Sequence, residues 1–200
     1  MTLATQTCPP MSCLKEASDK AWLELVIRHT DLLLADHAHC EKKAAATAMS
    51  LIAKYPNDRA LVTSMLHLAQ EELEHFARLY AVLNERGIPL GRIDSDPYVK
   101  ELLKLNRPHG VEHLVDRLLI MSLVEARSCE RFVLLAQHLP DPALRSLYHE
   151  LSFSEAGHHQ LFVSLAGHHM PKAVVVQRLE ELAVQEAEIL RRLPVAARMH

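Results

Sequence analysis

The sequence is poor in the residues that build β-sheets and disulfide frameworks. Aromatic residues make up only 4% of the 200 residues, and there are five glycines and four cysteines. Strands favour aromatic and β-branched side chains, so this composition favours helices. The cysteines form no Cys-x-x-Cys motif, which argues against a redox dithiol or a cysteine-bound iron centre.

Long hydrophobic runs and a strong excess of charge are also missing. No stretch approaches the roughly 18 apolar residues of a membrane span, and the N-terminus has no basic region followed by an apolar one. We therefore expect a cytoplasmic protein that does not enter a membrane. The net charge of −3 argues against a global basic field for nucleic acid but leaves room for a local patch.

Apolar residues instead recur at steps of three and four, which predicts an all-α protein with four long helices. We expect a flexible arm over residues 1–17, a single domain over 18–193 and a frayed tail over 194–200. The predicted helices cover residues 19–28, with Ser18 as N-cap, then about 31–54, 57–87, 111–138 and 142–167, and a last one after Pro171. Residues 88–110 break the pattern, and we interpret them as a long crossover with a short helix over 98–105.

Six polar residues fall on the apolar stripes of the four long helices. Their order is Glu, Glu-x-x-His, Glu, Glu-x-x-His, and the two halves are offset by 83–84 residues. A buried carboxylate must be paired, protonated or bound to metal, because burying it alone is costly. The pattern matches the ligand set of ferritin-like di-iron and di-manganese bundles, and predicts metal ligands at Glu41, Glu72, His75, Glu125, Glu155 and His158.

Four further residues lie close to these positions along their helices. His37 and Asp36 precede Glu41 by about one turn, and we expect His37 to be a buried, hydrogen-bonded neighbour of the site. Cys129 lies one turn after Glu125 and should line the interior. Tyr148 lies two turns before Glu155 and either lines a substrate channel or belongs to the core, which is the favoured interpretation.

Three sequence runs resemble a known family. Leu34-Ala35-Asp36-His37-Ala38-His39-Cys40-Glu41-Lys42-Lys43-Ala44-Ala45, Gln70-Glu71-Glu72-Leu73-Glu74-His75-Phe76 and Ser154-Glu155-Ala156-Gly157-His158-His159 are similar to the bacterial tRNA hydroxylases of 2-methylthio-isopentenyladenosine. The resemblance extends over roughly residues 20–190. It implies two iron ions, dioxygen as co-substrate, the same six ligands, and hydroxylation of the isopentenyl side chain of the modified adenosine.

The resemblance also implies partners. A tRNA substrate needs phosphate contacts, and the basic residues around the crossover are the candidates: Arg86, Arg92, Lys100, Lys104 and Arg107. No flavin or nicotinamide motif is present, so a separate electron donor, a reductase or ferredoxin, must reduce the iron. The oligomeric state stays open.

Two other functions fit the same ligand order. Di-iron hydroxylases of quinone precursors share it and also resemble this chain at Asp36-His37-Ala38, but they act on a membrane lipid. Ferritin-like iron oxidation or storage uses the same bundle. The extra N-terminal and C-terminal helices and the irregular crossover favour an enzyme shaped around a substrate.

Overall fold

The computed structural model describes residues 8, 11–92 and 95–200. Within these ranges the chain forms seven α-helices and no strand. The helices belong to two units. The first unit comprises residues 19–101 and 193–200, and the second comprises residues 102–192 together with the described residues up to 18.

The first unit is built on one pair of long helices. It contains α1 (Lys20–Arg28), α2 (Thr30–Lys54), α3 (Arg59–Glu85) and the start of α4 (Pro97–Leu103). Asp58 caps α3 by accepting a hydrogen bond from the Leu61 N–H at 3.0 Å. Gly87 ends this helix with a φ of 65°, a conformation that suits glycine, and the Ile88 N–H donates to the Leu83 carbonyl at 2.9 Å.

The second unit also centres on one helical pair. It contains α5 (Gly110–His138), α6 (Pro142–His169) and α7 (Lys172–Arg192), and α7 packs on both of the others. Asp141 caps α6 by accepting from the Ala143 N–H at 2.8 Å, and Pro142 occupies the first turn, where no amide donor is needed. The predicted all-α fold with a crossover is therefore confirmed, and each predicted helix boundary lies within about two residues of the observed one. The sequence predicted no end for the last helix.

A buried ion pair lies in the interior of the second unit. Arg127 and Glu186 are both fully buried, and the guanidinium donates three hydrogen bonds of 2.9–3.1 Å to the carboxylate. Arg127 also donates to the Glu16 carbonyl at 2.8 Å. Arg127 therefore connects α5, α7 and the segment before α1.

The N-terminal arm falls partly outside the described residues. For residues 1–7, 9 and 10 its flexibility stays a prediction. Residues 11–18 form no regular helix. Asp19, and not Ser18, caps α1. The amide and hydroxyl of Ser18 instead donate to the Glu130 carboxylate at 2.8 and 2.6 Å.

The C-terminal tail differs from the frayed segment that the sequence predicted. The Met199 N–H donates to Asp36 Oδ2 at 2.8 Å, and the Met199 side chain is fully buried. The Trp22 indole donates to the Arg198 carbonyl at 2.9 Å. His200 stacks on Tyr98 with ring centroids 5.4 Å apart. These contacts hold residues 198–200 in the first unit because they satisfy buried polar groups.

Candidate metal centre

In the first unit, α2 and α3 bring together one glutamate and one Glu-x-x-His pair. Glu72 and His75 are three residues apart on α3 and share a face, with His75 Nδ1 3.6 Å from Glu72 Oε2. Glu41 on α2 places Oε2 4.0 Å from the same nitrogen. All three side chains are buried, and each offers one ligand atom within 4.8 Å of the others.

In the second unit, α5 and α6 repeat this arrangement. His158 Nδ1 lies 3.6 Å from Glu155 Oε2, the same separation as in the other pair. Glu125 on α5 completes a buried set whose ligand atoms also lie within 4.8 Å of one another. Each unit therefore presents two carboxylates and one imidazole, as the duplicated sequence pattern predicts.

The chemistry of each set fits a hard cation. Two buried carboxylates at this separation repel each other and have lost most of their hydration, so a cation or a proton must lie among them. Carboxylate oxygens with one imidazole suit iron or manganese, whereas structural zinc and copper(I) sites are richer in sulfur. These donor sets therefore fit iron.

His37 lies against one of these carboxylates. Its Nε2 hydrogen-bonds Glu41 Oε1, and the ring is almost completely buried. Burial, with smaller contributions from His75 and His200, lowers the pKa of His37 to about 3. The imidazole is therefore neutral near pH 7, and in its Nε2–H tautomer it donates this hydrogen bond to Glu41 Oε1. This hydrogen bond fixes the orientation of Glu41.

The other predicted neighbours have different surroundings. Asp36 accepts from the Met199 N–H and, at 3.9 Å, from the Cys40 thiol, so it belongs to the tail contacts. The Cys129 thiol donates to the Ser152 carbonyl at 3.2 Å and lies 3.3 Å from Cys8 Sγ. Tyr148 is fully buried beside Phe132, 5.3 Å between ring centroids, which agrees with a core residue.

The basic residues proposed for tRNA contact differ in exposure. Arg86, Arg92, Lys100 and Lys104 are exposed. Arg107 is half-buried and bonded to Asp116, with its Nε and NH2 groups 2.9 and 2.8 Å from the carboxylate oxygens, and it also pairs with Glu112 at 3.2 Å. Arg107 is therefore paired within the second unit, and its contact with tRNA stays a prediction.

Asp116 receives a second guanidinium, which sequence reasoning missed. Arg178 on α7 donates to both of its oxygens, at 2.9 and 3.1 Å. Burial raises the pKa of Asp116, but the hydrogen bonds from Arg107 and Arg178 lower it by a larger amount. The pKa of Asp116 therefore lies below its ordinary value. Asp116 lies on the buried side of α5 between Leu114 and Leu118, so a charge inside an apolar stripe was the available signal.

The chain is similar to a known protein family and to two named relatives. The family model described as tRNA-(MS[2]IO[6]A)-hydroxylase (MiaE) matches residues 5–200. A tRNA 2-(methylsulfanyl)-N(6)-isopentenyladenosine(37) hydroxylase of Pseudomonas putida is 39% identical, over 90% of this chain and 87% of the relative. A protein of the same name from Salmonella typhimurium is 32% identical, over 76% of this chain and 71% of the relative.

A solved structure is similar over nearly the whole chain. It is described as Protein 43 with aldehyde deformylating oxygenase activity from Synechococcus, with a TM-score of 0.89, 38% identity and 94% of both chains covered. Fold and donor sets together define an all-helical protein of the ferritin-like di-iron class. Within that class, the chain belongs to the tRNA-(MS[2]IO[6]A)-hydroxylase (MiaE) family, which confirms the resemblance seen in the sequence. No helix in the described part of the chain has the length and apolar character needed to cross a membrane.

Proposed function

We propose that this chain is an oxygen-dependent, non-haem di-iron monooxygenase that hydroxylates the isopentenyl side chain of 2-methylthio-isopentenyladenosine in tRNA. The observation that supports this most is the duplicated buried donor set, Glu with Glu-x-x-His, in a chain of the tRNA-hydroxylase family. Because its substrate would be tRNA, we also propose that it works in the cytoplasm.

We propose further that the two donor sets jointly hold two iron ions. The ligand order along the chain supports this, because ferritin-like bundles draw one glutamate from each of two helices and one Glu-x-x-His from each of the other two. The ligands would be Glu41, Glu72, His75, Glu125, Glu155 and His158. When bound, two carboxylate-ligated iron ions would supply the two-electron activation of dioxygen.

The chain's own residues prepare the site for this chemistry. The buried carboxylates would offset the positive charge of the metals, and His37 holds Glu41 in one orientation. Apolar neighbours on the same helices, such as Leu68, Leu79 and Phe162, are buried and keep water away. The modified base would have to leave its stack to reach a buried site. The sequence contains no flavin or nicotinamide motif, so we propose a separate electron donor.

The test is nucleoside analysis of tRNA by mass spectrometry. The protein would be expressed in a bacterial strain that makes the isopentenyl nucleoside but lacks an enzyme to hydroxylate it. We expect the hydroxylated nucleoside to appear with the wild-type chain and to be missing with Glu72→Ala. Glu71→Ala is the matched control, since Glu71 is the exposed neighbour on the same helix, and it should keep activity.

Other outcomes would point to the alternatives. An unchanged nucleoside together with rescue of a strain blocked in quinone hydroxylation would replace the proposal by the quinone-precursor enzyme. A large oligomer holding many more than two irons per chain would indicate storage.

A further inference from the structure

A second cluster of metal-binding side chains lies in the first unit, apart from the six residues of the proposed di-iron site. Cys40 on α2, Asp96 just before α4 and His200 in the tail each offer a ligand atom within 4.8 Å of the others. These three residues lie 56 and 104 positions apart in the sequence. The fold therefore brings sulfur, oxygen and nitrogen donors from three separate segments to one place.

The distances suit a small tetrahedral cation. Zinc binds sulfur at about 2.3 Å and nitrogen or oxygen at about 2.0–2.1 Å, so neighbouring ligand atoms of a tetrahedron lie about 3.3–3.8 Å apart. His200 Nδ1 and Asp96 Oδ2 are 3.3 Å apart. Asp36 Oδ2 is 3.9 Å from Cys40 Sγ, so this oxygen is a nearby candidate for the fourth donor atom.

The three ligand residues are half-buried, and their neighbours hold the ligand groups in orientation. The side chains of His200 and Asp96 are only 4% and 13% exposed. Tyr98 stacks on the imidazole of His200 with an interplanar angle of 12°, and the Val99 N–H donates to Asp96 Oδ1 at 3.1 Å. Burial raises the pKa of Asp96, but the hydrogen bond and charge of His200 outweigh it and lower the pKa to about 2. Asp96 is therefore an anionic ligand at neutral pH.

We propose that Cys40, Asp96 and His200 form a binding site for a divalent cation of the zinc type. A thiolate, an imidazole and a carboxylate are the donors that zinc prefers, whereas the proposed di-iron ligands contain no sulfur. Cys40 and Glu41 are consecutive on α2, so their side chains point about 100° apart around the helix and face different sites.

The bound cation would connect the tail and the segment before α4 to α2. Cys40 would release its thiol proton on binding, because the thiolate is the ligand. In the structure, Asp96 contacts His200 directly, and the thiol of Cys40 lies 3.9 Å from Asp36 Oδ2. The positive charge of Lys43 acts on both Asp96 and Cys40. The alternative to a bound cation is therefore that Lys43 alone balances the negative charge of these groups.

Cobalt(II) is a probe that distinguishes this site from the iron site. Added to the iron-loaded protein in its ferrous state without air, one equivalent of cobalt should produce a thiolate-to-cobalt charge-transfer band in the near ultraviolet. Zinc added afterwards should remove the band by competition. We expect Cys40→Ser to abolish the band and His200→Gln to weaken cobalt binding at least tenfold.

Matched controls make each result decisive. Cys13→Ser changes another half-buried thiol, which does not belong to the cluster, and should leave the band unchanged. His200→Gln lies in the tail, so it tests the site even if Cys40→Ser fails to fold. The proposal is overturned if the wild-type protein gives no band, if the band survives Cys40→Ser, or if His200→Gln binds cobalt with wild-type affinity. None of these readouts depends on hydroxylation of tRNA.

Discussion

Replacing Arg127 by methionine should destabilise the second unit strongly. The substitution removes the three hydrogen bonds that the fully buried carboxyl group of Glu186 receives from the guanidinium. Breaking a buried ion pair on one side costs about 3–5 kcal/mol. The loss of the bond to the Glu16 carbonyl adds to this, so we take the upper half of the range as the expected effect.

Urea unfolding followed by circular dichroism measures this effect. With a denaturant slope of about 2 kcal/mol per molar urea, a loss of about 4 kcal/mol lowers the midpoint by about 2 M. The double variant Arg127→Met/Glu186→Leu removes both charges and fills the space with apolar atoms. It should recover most of the stability, because a buried pair and a well-packed apolar pair are often equivalent.

An exposed ion pair in the same unit provides the control. Lys15 and Glu180 are 2.6 Å apart, with side chains 34% and 61% exposed. Lys15→Met should cost less than about 1 kcal/mol, since surface pairs contribute little. If Arg127→Met is no more destabilising than Lys15→Met, or if the double variant is as unstable as the single one, the reasoning from the buried charge is refuted.

Three further changes have defined outcomes. The carboxylate of Asp116 has a lowered pKa in the folded state. Its contribution to stability is therefore present above the unfolded pKa of about 3.9 and is lost as the pH falls through the folded pKa. The difference in unfolding free energy between wild type and Asp116→Asn should shrink between about pH 6 and pH 2, and a constant difference would contradict this. Asp141→Ala removes the cap of α6 and should cost about 1 kcal/mol in urea unfolding, with Asp141→Asn close to wild type; equal stabilities for wild type and Asp141→Ala would be the contrary result. His158→Ala should lower the iron content per chain measured by mass spectrometry, whereas His168→Ala on the exposed end of the same helix should not; full iron content in His158→Ala would remove His158 from the proposed ligands.

The local features of the fold could be predicted from the sequence. Helix ends follow from residues next to them in the chain, such as Asp58, Gly87 and Pro142, which act through nearby backbone groups. The six proposed ligands could be selected because a polar residue in phase with an apolar stripe is exceptional. Helical phase alone distinguishes the buried Glu72 from the exposed Glu71 and Glu74.

Contacts between distant segments could not be predicted in the same way. Met199 and Asp36 are 163 residues apart, and the Met199 amide looks like any other amide in the sequence. The buried ion pair of Arg127 and Glu186 could not be predicted from Arg127, because an arginine on a helix is usually solvated. The partner Glu186 did give a signal in the sequence. It lies on the apolar stripe of α7 with Leu182 and Ile189, and a buried carboxylate needs a nearby cation.

We propose that this chain uses two irons and dioxygen to hydroxylate a modified adenosine in tRNA. The most direct test of this proposal is the reaction of the iron-loaded protein with tRNA containing the isopentenyl nucleoside, a chemical reductant and isotopically labelled dioxygen. The account predicts a hydroxylated nucleoside whose new oxygen comes from dioxygen, with none from labelled water. A product that takes its oxygen from water, or no hydroxylated nucleoside from protein holding two irons per chain, would contradict it.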